Sequence, residues 1–148
     1  MELNGKEILV CDCEGGIPLN GKALAKACSG KKLAVSTSLC RVQLEEFQRI
    51  AAKGKPMLVA CTQEAPIFLE ALDELENAPE ISFTNIRECA GWSEEGAKAI
   101  PKMAALLAEA ALDIPRTTSV GMESGGVLLV IGRDGDAIDA AKQVADRL

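Results

Sequence analysis

Short apolar runs that alternate with helical segments are the feature that most limits how this chain can fold. Four runs, at residues 7–11, 33–36, 56–61 and 81–86, are bounded by glycine, proline or polar residues and predict β-strands. A fifth run, at residues 127–131, predicts one more strand. Strands separated by helices favour parallel pairing, because the chain must cross back over the sheet between one strand and the next.

Helices are expected between these runs, at residues 20–28, 42–51, 63–75, 93–112 and 136–147. Asn20 is the predicted N-cap of the first helix. Pro101 predicts either a kink in the fourth helix or its true first turn. The sequence therefore predicts an α/β fold, with an open, mostly parallel Rossmann-like sheet that carries helices on both faces.

The predicted elements suggest three parts of the chain. Residues 1–113 form an α/β domain with cysteines at its strand ends, and residues 114–126 form a loop or linker. Residues 127–148 form a final strand and helix that begins, or packs against, a following domain of a longer protein. The turn at 132–137 resembles a dinucleotide fingerprint but has Asp134 and Ala137 at two of its glycine positions, which disfavours nucleotide binding.

The composition excludes several classes of function. The 148 residues contain six cysteines and no histidine, which excludes a Ser-His-Asp triad and every metal site that needs imidazole. A formal net charge of −6 disfavours a nucleic-acid partner. No apolar run approaches the roughly 20 residues of a membrane span, and the polar N-terminus lacks a secretion signal. We therefore expect a cytoplasmic protein whose thiols stay reduced.

Five of the six cysteines follow predicted strands. Cys11 and Cys13 end the first strand, Cys40 follows the second, Cys61 ends the third, and Cys89 follows the fourth. The carboxyl ends of parallel strands meet at one edge of a sheet, where α/β proteins place their ligands and reactive groups. We therefore expect these thiols to gather at one site.

The chemistry of that site stays open on the residues alone. Four thiolates without histidine suit an iron–sulfur cluster or an all-cysteine zinc site, although no C-x-x-C motif is present. Cysteines also occur as small core residues, which would leave a cluster-free docking domain. A thiol–disulfide redox pair of Cys11 and Cys13 is a third alternative. We expect Cys28, inside the first helix, to be a core residue.

A polar cluster follows the fourth predicted strand at the same edge of the sheet. Arg87 is a candidate donor to a cluster sulfur or a partner carboxylate, and Trp92 is a candidate cover for the site. The alternative is that Arg87 pairs with Glu88 and that Trp92 belongs to the core.

Four segments together resemble the N-terminal domain of heterodisulfide reductase A-like proteins and of related bacterial ferredoxin-type iron–sulfur proteins. The segments are Val10-Cys11-Asp12-Cys13-Glu14-Gly15, Leu39-Cys40, Leu58-Val59-Ala60-Cys61-Thr62 and Asn85-Ile86-Arg87-Glu88-Cys89-Ala90-Gly91-Trp92. The match runs in order from residue 8 to about residue 112. Glu14 stands where the family has glycine, and Cys89 is displaced by one position.

The resemblance implies an electron-transfer module of a larger protein that contains flavin and 4Fe–4S clusters. It implies that Cys11, Cys13, Cys40 and Cys61 are cluster ligands, with Cys89 unassigned. Its implied partners are other domains of the same polypeptide and redox partner proteins, with no nucleic acid and no membrane. FAD is expected in the wider protein and not in this chain. No catalytic residue is expected, since the module relays electrons without making bonds.

Overall fold

A computed structural model of the protein describes residues 1–114, 120–123 and 125–145. The chain divides into two compact units, Met1–Asp113 and Ile114–Leu148. The strands of the first unit are β1 Glu2–Leu3, β2 Lys6–Cys11, β3 Val35–Ser36, β4 Met57–Val59 and β5 Ile81–Phe83. Its α-helices are α1 Gly21–Ala27, α2 Leu44–Ala51, α3 Ala65–Asp73 and α4 Ile100–Ala111. A π-helical turn, Arg87–Gly91, and a 3₁₀ turn, Gly96–Lys98, precede α4.

The five strands form one mixed sheet around β2. Strand β2 pairs in parallel with β3 and β4, and β4 pairs in parallel with β5. Strand β1 pairs antiparallel with β2 through a two-residue turn. Both turn residues, Asn4 and Gly5, have positive φ angles of 48° and 78°, as a tight hairpin turn requires. The α/β class is therefore confirmed, and the sheet is mixed because of this hairpin.

Alternate side chains of β2 enter two separate cores. Ile8 and Val10 belong to a core that includes residues of α1 and α4. Leu9 and Cys11 belong to a second core that includes residues of α2 and α3. This division follows from the two-residue period of a strand, which sends neighbouring side chains to opposite faces of the sheet.

The helix starts follow the capping residues and prolines of the sequence. The Asn20 side chain accepts a hydrogen bond of 2.9 Å from the Ala23 N–H, which confirms it as the N-cap of α1. The helix expected from residue 93 begins instead at Ile100, with Pro101 in its first turn. Proline is favoured there, because an N–H in the first turn of a helix has no partner within the helix.

The expected fifth strand at 127–131 is wrong. No strand forms in the described part of the second unit, and Val127, Leu129 and Ile131 are exposed. Apolar residues alone do not make a strand, since its backbone groups need hydrogen-bond partners. The helix expected at 136–147 is α5, Gly135–Ala145, and residues 146 and 147 lie outside the described residues. The loop expected at 114–126 is without regular structure where it is described.

None of the helices in the described ranges is long and apolar enough to cross a membrane.

The second core makes a direct prediction about stability. Phe47 is fully buried in α2, and its ring centroid lies 4.8 Å from that of Phe68 in α3. We expect Phe47→Ala to lower the free energy of unfolding by about 3–5 kcal/mol, because it leaves a cavity among fixed neighbours. Val42, 85% exposed, provides the control, and Val42→Ala should change stability by less than about 0.5 kcal/mol. Urea unfolding followed by circular dichroism measures both, and equal effects would contradict the assigned core.

Candidate functional site

Four cysteines line one cavity at the carboxyl end of the sheet. They are Cys11, the last residue of β2, Cys13 in the loop that follows, Cys40 beyond β3, and Cys61 beyond β4. The cavity has a volume of about 200 Å³. Pockets for organic ligands are larger, at about 300–1,000 Å³, so this cavity suits a compact group better than a flavin or a nucleotide.

Cys11 is the most enclosed of these thiols. Its residue is 7% exposed, and it belongs to the second core. Two backbone N–H groups donate to its sulfur, from Cys13 at 3.4 Å and from Leu39 at 3.5 Å. Hydrogen bonds of this kind stabilise sulfur in its charged form. The sulfur of Cys11 is therefore held by the core on one side and by two backbone donors on the other.

The loop that carries Cys13 has an unusual backbone. Cys13 and Glu14 have φ angles of 54° and 60°, in the left-handed region that side chains other than glycine disfavour. Neighbouring contacts hold the loop in place: the Gly15 N–H donates to the Asp12 carboxylate at 3.0 Å, and the Glu14 N–H donates to the Thr37 carbonyl at 2.7 Å. Strained backbone of this kind persists only where surrounding contacts determine it.

The Gln43 side chain helps to fix the loop that carries Cys40. The Gln43 side-chain oxygen accepts hydrogen bonds from the N–H groups of Thr37, at 2.8 Å, and Ser38, at 2.9 Å. The Ser38 hydroxyl donates to the Glu14 carboxylate at 3.1 Å. This last contact joins the Cys40 loop to the Cys13 loop. The two loops therefore form one wall of the cavity.

Arg87 lines the same cavity from the π-helical turn. Its guanidinium lies 4.5 Å from the centre of the Trp92 ring, and its Nε donates to the Glu88 carboxylate at 2.7 Å. Arg87 therefore both pairs with Glu88, as one alternative predicts, and lines the cavity, as the other predicts. Trp92 is 59% exposed, so the alternative that it is a core residue is wrong.

Burial weakens the acidity of two cavity thiols. Burial, reinforced by the neighbouring Cys11, raises the pKa of Cys13 to about 11, although the Arg87 guanidinium acts in the opposite direction. Burial also raises the pKa of Cys40, with smaller contributions from Cys61 and Glu64. Burial outweighs the effect of Arg87, so these thiols stay protonated near neutral pH. They are poor nucleophiles, which weighs against Cys13 as the attacking thiol of a redox pair.

The two remaining cysteines lie apart from the cavity lining. Cys28 follows α1 as its C-cap and packs against the first core, and burial raises its pKa. Cys89 is exposed within the π-helical turn. All six cysteines are free thiols.

Sequence reasoning missed two charged residues of the cavity wall, Arg41 and Glu64. Their positions in the sequence could have indicated them, since Arg41 follows Cys40 directly and Glu64 lies three residues after Cys61. Residues that close to a loop cysteine share its surroundings.

Within the described ranges, no three cysteine, aspartate or glutamate side chains form a group that would hold a metal ion. Comparison of the chain with protein-family models, curated proteins and solved structures gave no match.

The raised pKa of Cys13 predicts how it reacts in the iron-free protein. We expect iodoacetamide to modify exposed Cys89 before Cys13, because at pH 7 only about one Cys13 in ten thousand is ionised when its pKa is about 11. The rate at Cys13 should rise about tenfold with each unit of pH from 7 to 10, as its thiolate fraction does. Mass spectrometry after timed labelling measures both sites, and circular dichroism checks the fold at each pH. A rate at Cys13 that levels off near pH 8 would contradict the raised pKa.

Proposed function

We propose that the chain is an electron-transfer module that binds one 4Fe–4S cluster through Cys11, Cys13, Cys40 and Cys61. The observation that carries this proposal is that four thiols, supplied by the ends of three strands, line one small cavity. The donor set suits the cluster, since iron–sulfur clusters are held by cysteine thiolates. A bound cluster would accept and release single electrons, and the protein would hold it, shield it and set its potential.

The surroundings of the thiols also support this proposal. The two N–H groups at the Cys11 sulfur and the Arg87 guanidinium beside Cys13 are the kinds of neighbours that tune a cluster. The same groups would stabilise the thiolates that cluster binding requires. The iron ions themselves would supply the positive charge that lowers the pKa of Cys13 and Cys40.

We also propose that the chain is related to the N-terminal domain of heterodisulfide reductase A-like proteins. The left-handed backbone at Glu14 supports it, because glycine, the family's residue at this position, adopts that conformation without strain. We also propose that the sheet is of the open, mostly parallel Rossmann-like type, with helices on both faces. We further propose a cytoplasmic location, where thiols stay reduced, and FAD elsewhere in a larger polypeptide.

The partners we propose are other domains of that polypeptide and redox partner proteins. Nucleic acid is not among them, because the formal net charge is −6. Electron transfer requires only that a partner approach the cavity, so the module needs no catalytic residue of its own.

Substitution of single cysteines tests the proposed ligands. After anaerobic reconstitution with ferrous iron and sulfide, we expect the unmodified protein to be brown, with broad visible absorbance and about four irons per chain. Cys61→Ser should abolish the colour and most of the bound iron, because it removes one of the four thiolates. Iron and acid-labile sulfide analysis, with the visible spectrum, measures the result.

Cys28→Ser and Cys89→Ser are the matched controls, since neither side chain lines the cavity. Both variants should keep the colour and the iron content. Colourless, iron-free protein after reconstitution would refute the cluster and leave the cluster-free docking domain and the thiol–disulfide redox domain as the alternatives. Equal iron in Cys61→Ser and the unmodified protein would refute the ligand set.

A further inference from the structure

Arg87 is the better fixed of the two arginines that line the cavity, Arg41 being exposed. Its side chain is only 22% exposed. Trp92 covers one face of the guanidinium, Glu88 pairs with its edge, and the side chain lines the same cavity as Cys13. A long cationic side chain loses considerable freedom when it is held on two sides, so these contacts make Arg87 a charge of fixed position at the cavity wall.

The backbone beneath Arg87 is fixed to the loop that carries Cys13. Gly91 ends the π-helical turn, and a Cβ atom there would lie 2.7 Å from a methyl carbon of Ile17. Ile17 in turn donates its N–H to the Asp12 carbonyl at 3.0 Å, one residue before Cys13. The turn that carries Arg87 is therefore packed directly against the end of the loop that carries Cys13.

Glu88 has a defined place in this arrangement. Its N–H donates to the Asn85 side chain at 3.0 Å, and its carboxylate accepts from Arg87. The carboxylate therefore offsets part of the arginine charge close to the cavity. Of the two opposite charges, only that of Arg87 belongs to the cavity lining.

We propose that Arg87 is a positioning residue that acts through the Cys13 sulfur to raise the reduction potential of the group held by the four thiols. This inference rests on the proposed function. One-electron reduction by an external donor adds one negative charge to that group, and no bond forms or breaks. A fixed positive charge stabilises the more negative state, so it favours reduction. Glu88 opposes this effect, since its charge is of the other sign.

The test compares two variants that break the same ion pair. Arg87→Met removes the positive charge, and we expect the equilibrium constant for reduction to fall about tenfold, a modest effect for the loss of one charge at the cavity wall. Glu88→Gln removes the negative charge and should raise the same constant. A merely structural role for the pair would move both potentials in one direction. Spectroelectrochemical titration of the reconstituted proteins measures each potential.

Two further measurements complete the test. Arg87→Lys keeps the charge, so its potential should lie nearer to that of the unmodified protein than the potential of Arg87→Met does. Trp92 is the only tryptophan in the sequence, so its fluorescence in iron-free protein reports the Arg87 contact without a cluster. Arg87→Met should change that emission, and unchanged emission would overturn the geometry from which the inference starts.

The outcomes separate the two proposals. If none of the proteins takes up iron, both the cluster and the role of Arg87 are overturned. If all take up equal iron and the potentials of Arg87→Met and Glu88→Gln are unchanged or shift in one direction, only the role of Arg87 is overturned. Opposite shifts with equal iron support it.

Discussion

The central strand β2 is the element on which the rest of the first unit depends. It pairs with three other strands, β1, β3 and β4, and its alternate side chains enter both hydrophobic cores. Its last residue, Cys11, is at once a core side chain and a wall of the cavity. The packing of the second core therefore also determines where the sulfur of Cys11 lies in the cavity. A change in the register of β2 by one residue would exchange its two faces and move Cys11 away from the other thiols.

Two opposed effects act on the thiols of the cavity. Removing thiols from water favours their neutral form, and the raised pKa values of Cys13 and Cys40 express this penalty. Backbone N–H groups at Cys11 and the guanidinium of Arg87 act the other way, by stabilising negative sulfur. Burial prevails at Cys13 and Cys40, so these thiols react slowly near neutral pH.

Simple patterns predict the strand ends, and with them the gathering of Cys11, Cys13, Cys40 and Cys61, because parallel strands carry their carboxyl ends to the same edge of the sheet. The same pattern predicts that Cys89 joins them, which is wrong, since Cys89 is exposed and lies outside the cavity lining. The hairpin at Asn4 and Gly5 is not among the predicted elements, although that dipeptide is the commonest signal of a tight turn. The strand predicted at 127–131 is wrong because hydrophobicity does not reveal whether a pairing partner exists. Sequence reasoning brings Arg87 to the same edge of the sheet as the thiols, but it does not reveal the π-helical turn that carries Arg87 or the packing of Gly91 against Ile17.

The hairpin has a consequence for how the first unit joins the rest of a polypeptide. The Asn4 side chain donates to the Ala111 carbonyl at 3.0 Å, so the beginning and the end of the unit lie side by side. Both lie near the start of β2, and the thiols lie beyond its other end, roughly 17 Å away for a strand of this length. The first unit therefore begins and ends at one edge of its sheet and carries its four cavity thiols at the opposite edge.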